Sequence, residues 1–155
     1  MIRTFVFLAS LAIATTGAAT AAPPSGAASV VNSFYQWYFA TGPSGSWTDR
    51  FPQAKGFFDP SLYASLSKML AEERREHAAV LDFDPFVFAQ EPASSFSLGT
   101  PVTSGALVKV PVTLHFAHGA GHVTAIVRLA GTWQIQNISY GADGNLRTML
   151  AQAMK

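Results

Sequence analysis

Apolar positions along the chain first follow a helical period and then a strand period. Val30, Val31, Phe34, Tyr35, Trp37 and Tyr38 fall three and four residues apart, the spacing of one wide helical face. The Gly and Pro of residues 41–46 end that helix. Residues 47–58 hold apolar anchors at Trp47, Phe51, Phe57 and Phe58 without a period, and read as an irregular connection. A second helix opens at Asp59-Pro60, where Asp caps free amides and Pro occupies a position that needs no N–H. Its apolar stripe is Leu62, Leu66, Met69 and Leu70, and the charged run 72–76 after it is solvated helix surface. His77 follows, where the helix dipole favours a cation. Residues 80–90 are apolar but irregular, broken by Asp84-Pro85.

Beyond residue 95 the period becomes two. A short strand over 96–103 is interrupted by Gly99 and Pro101. In 107–117, Val108, Val110, Val112, Leu114 and Phe116 share one face; Pro111 removes a ladder donor and requires an edge segment or a bulge there. His118-Gly119-Ala120-Gly121 reads as the hairpin turn, and Val123, Ala125, Val127 and Leu129 line the returning strand. Trp133 and Ile135 are out of phase with Ile138 and Tyr140, and a bulge at Gln136-Asn137 brings all four to one face. A turn over 141–145 leads to a final helix on Leu146, Met149, Leu150 and Ala153. Helices followed by an antiparallel meander predict an α+β fold, a curved antiparallel sheet wrapped around helices.

The start of the chain changes where this fold is expected to work. Arg3, an apolar stretch over 5–14 and a small-residue tail to Ala22 have the order of a secretory signal peptide, with cleavage before Ala22. The apolar stretch is too short to span a bilayer. Residues 1–21 are thus read as signal peptide, 22–28 as a disordered leader, and 29–155 as one roll domain, located in the periplasm or outside the cell. With no cysteine there is no lipid acceptor and no disulfide. The 155 residues are 49% apolar and 12% charged, which excludes a disordered chain. Ten Lys and Arg stand against nine Asp and Glu, and loss of Arg3 leaves nine against nine. That balance supplies no basic field for nucleic acid.

Four strings carry a family resemblance: Phe34-Tyr35-Gln36-Trp37-Tyr38, Phe58-Asp59-Pro60-Ser61-Leu62-Tyr63, Asp84-Pro85-Phe86-Val87-Phe88-Ala89-Gln90, and the closing residues 133–140. Together they resemble the YbjP/YqhG-type family of exported bacterial proteins, over roughly residues 30–140. The resemblance implies a nuclear transport factor 2-like, cystatin-like roll. Among such relatives are envelope lipoproteins and immunity proteins against peptidoglycan amidases delivered by type VI secretion. Lipid anchorage does not carry over to a chain without cysteine, and the family offers no catalytic motif to transfer.

Candidate chemistry is sparse. His115, His118 and His122 crowd one hairpin, but no carboxylate lies beside them in sequence, so solvated surface is the reading preferred to a metal site. Asp82 and Asp84 form a carboxylate pair in an apolar stretch, suited to proton transfer if buried. Asp before Pro is also an ordinary turn initiator, and that reading is preferred for Asp84. The sequence points to a non-enzymatic binding or inhibitor module with a protein partner in the envelope and no cofactor. Trp47, Phe51, His118 and His122 are its expected contact residues, Trp47 serving either as a loop-rim anchor or as a cap on the core. The alternative is a small-molecule binder or an isomerase- or dehydratase-like enzyme using the interior of the roll, with Tyr35, Tyr38 and Asp84 in its pocket.

Overall fold

The first helix begins earlier than its apolar period. In the computed structural model, which describes residues 24–42 and 47–155, α1 spans Pro24–Ala40. Residues 24–28, expected as a disordered leader, are therefore helical. Two small residues account for this. Ala27 is fully buried, and the Trp133 ring lies so close to Gly26 that a β-carbon there would fall 2.3 Å from the indole nitrogen. The expected signal segment and residues 43–46 of the following loop lie outside the described residues.

The connection expected to be irregular is a one-turn helix α2, Trp47–Arg50, running into a 3₁₀ segment, Phe51–Phe57. Trp47, Phe51 and Ala54 turn inward from it. Helix α3, Pro60–Glu76, starts as expected: Asp59 Oδ1 accepts from the Leu62 amide at 2.8 Å. Leu62, Leu66, Met69 and Leu70 are buried, and His77 closes the helix in the left-handed conformation at φ 51°. No helix among the described residues is long and apolar enough to cross a membrane.

The sheet is antiparallel and open: β1 Ser95–Leu98, β2 Val102–Ser104, β3 Leu107–Phe116, β4 Gly119–Ala130 and β5 Thr132–Ser139. Its order is β1-β3-β4-β5, with β2 also pairing β3. β1 pairs with β3 from Val112 upward and β2 from Lys109 downward. Pro111 faces the break between them, where its carbonyl accepts from the Gly99 amide at 2.9 Å and its missing N–H leaves no gap in a ladder. Val108, Val110, Val112, Leu114, Val123, Ala125 and Val127 point inward, against α1. Leu129, expected on that face, is 44% exposed at the end of β4.

The β5 bulge is present. Ile126 pairs with Asn137 and Val127 with Ile135, leaving Gln136 as the extra residue. Ile135, Ile138 and Tyr140 are buried and Trp133 is half-buried beside them. The hairpin differs from expectation. Phe116 pairs with Gly119, so the turn is Ala117-His118 and residues 119–121 belong to β4.

Helix α4, Leu146–Ala153, packs Leu146 and Leu150 inward, while Ala153 stays exposed. Asn145 caps it, accepting from the Thr148 amide at 3.1 Å. Arg147 on its first turn donates from Nη2 to Asp59 Oδ2 at 2.6 Å and from Nε to the Gln136 carbonyl at 2.6 Å. One guanidinium thus ties the α3 cap to the β5 bulge.

Burial pushes the Asp59 carboxyl up, but bonds from the Leu62 amide, Arg147 and Ser61 outweigh it and hold it below the ordinary 3.8. A depressed carboxylate contributes stability above its unfolded pKa and loses it as pH falls through the folded value. Asp59→Ala should cost about 2 kcal/mol at pH 7 through the lost cap and ion pair. Asp59→Asn, which retains a capping oxygen, should cost less. In urea titrations the gap between wild type and Asp59→Asn should close below pH 3.8; a gap constant with pH would show that Arg147 contributes nothing through charge.

Candidate functional site

The string Asp84-Pro85-Phe86-Val87-Phe88-Ala89 folds into a tight loop whose tip plugs the helical side of the core. Asp84 N–H donates to the Ala89 carbonyl at 2.9 Å, and the Asp84 carbonyl accepts from the Phe88 amide at 2.8 Å. Phe86 is fully buried, with ring centroids 4.9 Å from Phe34 and 4.7 Å from Trp47. Two tyrosines hold the plug by its backbone. Tyr35 donates to the Phe86 carbonyl and Tyr140 to the Pro85 carbonyl, each at 2.8 Å.

Phe88 sits at φ 53°, a left-handed conformation that costs a bulky residue on the order of 1–3 kcal/mol. Its ring stacks on Tyr140 at 4.2 Å and 9°, and Tyr140 is tied to the same loop. The strained backbone is therefore held by contacts on both sides.

Asp84 is the polar centre of this arrangement. Oδ2 accepts from Tyr38 Oη and from Trp47 Nε1, each at 2.9 Å, and Oδ1 accepts from the Phe86 amide at 2.9 Å. Burial pushes its carboxyl above the ordinary 3.8, more than these bonds and that of the Val87 amide pull it down. Burial likewise raises the Tyr35 and Tyr140 hydroxyls, with the Asp84 charge adding to both, so neither ionises near neutrality.

Sequence reasoning placed Tyr35, Tyr38 and Asp84 together, and the fold does bring them together. They do not line an open interior, because Phe86 fills it and Tyr35 is fully buried. Trp47 and Phe51, proposed as contact residues, are 3% and 2% exposed and belong to the core. Of the two readings of Trp47, the fold adopts the core cap. His118 occupies the hairpin turn and His122 lies opposite Thr113, its Nδ1 3.3 Å from the Thr113 hydroxyl. Both are exposed, as is His115, diagonal to His122 on the outer sheet face. Among the described residues no group of three or more His, Asp or Glu gathers as a metal site.

Beside the plug lies a cleft of about 420 Å³ between α3, α2 and residues 79–90. Its apolar wall is Trp47, Met69, Leu81, Phe83 and Pro85. Glu73, Asp82 and Asp84 bring three carboxylates, and no Lys or Arg belongs to the lining. Glu73 also accepts from the Val80 amide at 3.1 Å, anchoring the loop to the helix. Asp82 is exposed. Sequence reasoning missed Glu73, Leu81, Phe83 and Gln90 as cleft residues; the only signal was that Glu73 stands one helical turn beyond Met69. The chain matches no family model, no curated protein and no solved structure.

Proposed function

We propose that this chain is a non-catalytic binding module, exported to the periplasm by its first 21 residues, which captures a protein partner in the acidic cleft beside Asp84. The observation that carries the reading is the engagement of Asp84. Its carboxylate takes three donors and braces Tyr38, Trp47 and the plug, which leaves it an architectural acceptor rather than a proton carrier. The concave, mostly apolar wall with Asp82 and Glu73 at its margin suits a segment that offers an apolar side chain and a cation. The resemblance to the YbjP/YqhG-type family supports an envelope partner, a peptidoglycan amidase effector among the choices. A cleft of this volume is also within the range of small-molecule pockets, and that is the second reading.

Site-specific photocrosslinking in cells that export the full chain separates these. A benzoylphenylalanine at Gln90, on the cleft, should give a discrete protein adduct that Asp82→Lys abolishes. The same probe at His118 should give none. An adduct from His118 alone would move the interface to the hairpin tip. No adduct from either position would favour the small-molecule reading.

A further inference from the structure

The end of the 3₁₀ segment and the start of α3 enclose a recess whose chemistry differs from that of the acidic cleft. It measures about 410 Å³, and its walls are Lys55 and Gly56 from the segment, Pro60 and Tyr63 from α3, and Gln134 from β5, with Phe58 beneath. Phe58 is buried, so a ligand meets the other five, each of which reaches the surface. None of the walls is acidic, and none belongs to the acidic cleft.

Three observations point to a ligand there. First, Gly56 is a glycine that the fold does not require. Its φ lies outside the left-handed range, and a β-carbon built on it meets nothing within 4 Å. Glycine inside a helical segment is unfavourable unless the space it leaves is needed, and close approach of a ligand to the backbone is such a need. Second, Tyr63 is held in place with part of its ring free. Phe51 stacks on it at 5.0 Å and 11° and is not a wall of this recess, so Tyr63 offers the recess what Phe51 leaves uncovered. Together with Pro60 and the bare backbone of Gly56, it makes an apolar bed for a flat ring. Third, the Lys55 ammonium, the Tyr63 hydroxyl and the Gln134 amide come from three elements, and none of these groups makes a hydrogen bond or ion pair among the described residues. All three can donate, and a carboxylate has acceptor sites enough for all of them. A cation would find no acid in the walls, and an uncharged ring would leave Lys55 unanswered.

We propose that this recess binds a small aromatic carboxylic acid, with its ring on Gly56, Pro60 and Tyr63 and its carboxylate toward Lys55 and Gln134. The volume lies within the range of small-molecule pockets. No wall residue is shared with the acidic cleft, so the two sites stand or fall separately.

Amide and side-chain NMR titration of the exported, processed protein tests it, with phenylacetate, phenylacetamide and acetate as probes. Phenylacetate should give saturable shifts confined to residues 55–63 and Gln134. Phenylacetamide and acetate should bind at least ~10-fold more weakly, since one lacks the charge and the other the ring. Gly56→Leu fills the bed and should abolish saturable binding, and its urea midpoint should not fall because the added side chain enters open space. Lys55→Gln, at an exposed position, should weaken phenylacetate at least ~3-fold and leave phenylacetamide unchanged. Phenylacetamide or acetate binding as tightly as phenylacetate, shifts centred on Leu81 and Gln90 of the acidic cleft, binding that survives Gly56→Leu or is indifferent to Lys55→Gln, or no saturable shifts at all would each overturn the proposal.

Discussion

Trp47→Ala should lower the stability of the folded chain by about 3–5 kcal/mol, the range for a large aromatic removed from a core. The indole packs within 4.7 Å of Phe86 and 5.8 Å of Phe51, and its N–H is one of the two donors to Asp84 Oδ2. Truncation removes ring contacts and unpairs part of a half-buried carboxylate at the same time. Trp47→Phe divides the cost. It keeps an aromatic ring in the core but loses the N–H together with part of the indole's volume, so it should cost less than Trp47→Ala, about 2–3 kcal/mol. Guanidinium titrations of both variants measure the difference directly. A loop-rim anchor would instead lose almost no stability in either variant, and a cost for Trp47→Ala under 1 kcal/mol would reverse the core assignment.

That a residue in a Gly-, Pro- and Ser-rich neighbourhood is buried was not legible from its sequence, because periodicity says nothing about an isolated aromatic. Its burial depends on Asp84, 37 positions away, turning inward to meet it. Where the signal was local, the reading held. Asp59-Pro60 specifies a cap through atoms within three residues of one another. The broken alternation of Trp133, Ile135, Ile138 and Tyr140 requires an extra residue between the pairs, and Gln136 is that residue. The hairpin failed for a physical reason. Gly121 drew the turn toward itself, yet it lies in β4 because the Phe116 ring covers it; a β-carbon there would be 2.9 Å from that ring. Gly26 is the same case on α1, a glycine selected by close approach of Trp133 rather than by a turn. The site was half legible. Asp84 as a turn initiator follows from the Pro after it, and its Oδ1 does accept from the Phe86 amide two residues on. Its two other donors come from separate elements, and only the fold brings them in.

Asp84 variants should therefore distinguish a brace from a catalytic acid. Asp84→Ala leaves the Trp47 N–H and the Phe86 amide without this acceptor and removes one bond from the Tyr38 hydroxyl, and each buried donor so stranded costs about 1–3 kcal/mol when water cannot reach it. Partial relaxation toward the cleft offsets some of this, so a net loss of about 3–4 kcal/mol is expected. Asp84→Asn keeps one oxygen and carries no charge to desolvate, and should cost only about 1 kcal/mol. The pH dependence has the opposite sign to that of Asp59. Because burial raises the folded pKa of Asp84 above 3.8, the folded chain binds its proton more tightly than the unfolded chain does. Its contribution is greatest below the unfolded value and is lost as pH rises through the folded one. The stability of wild type relative to Asp84→Asn should therefore improve as the solution is acidified toward 3.8. Acid unfolding of wild type alone sums the opposing effects of Asp59 and Asp84, and only the paired Asn variants separate them. If wild type instead loses ground to Asp84→Asn on acidification, the ionised carboxylate is stabilised by its three donors more than burial penalises it. Asp84 would then be a fixed anion at the cleft floor, available to hold a cationic ligand as well as to brace the loop.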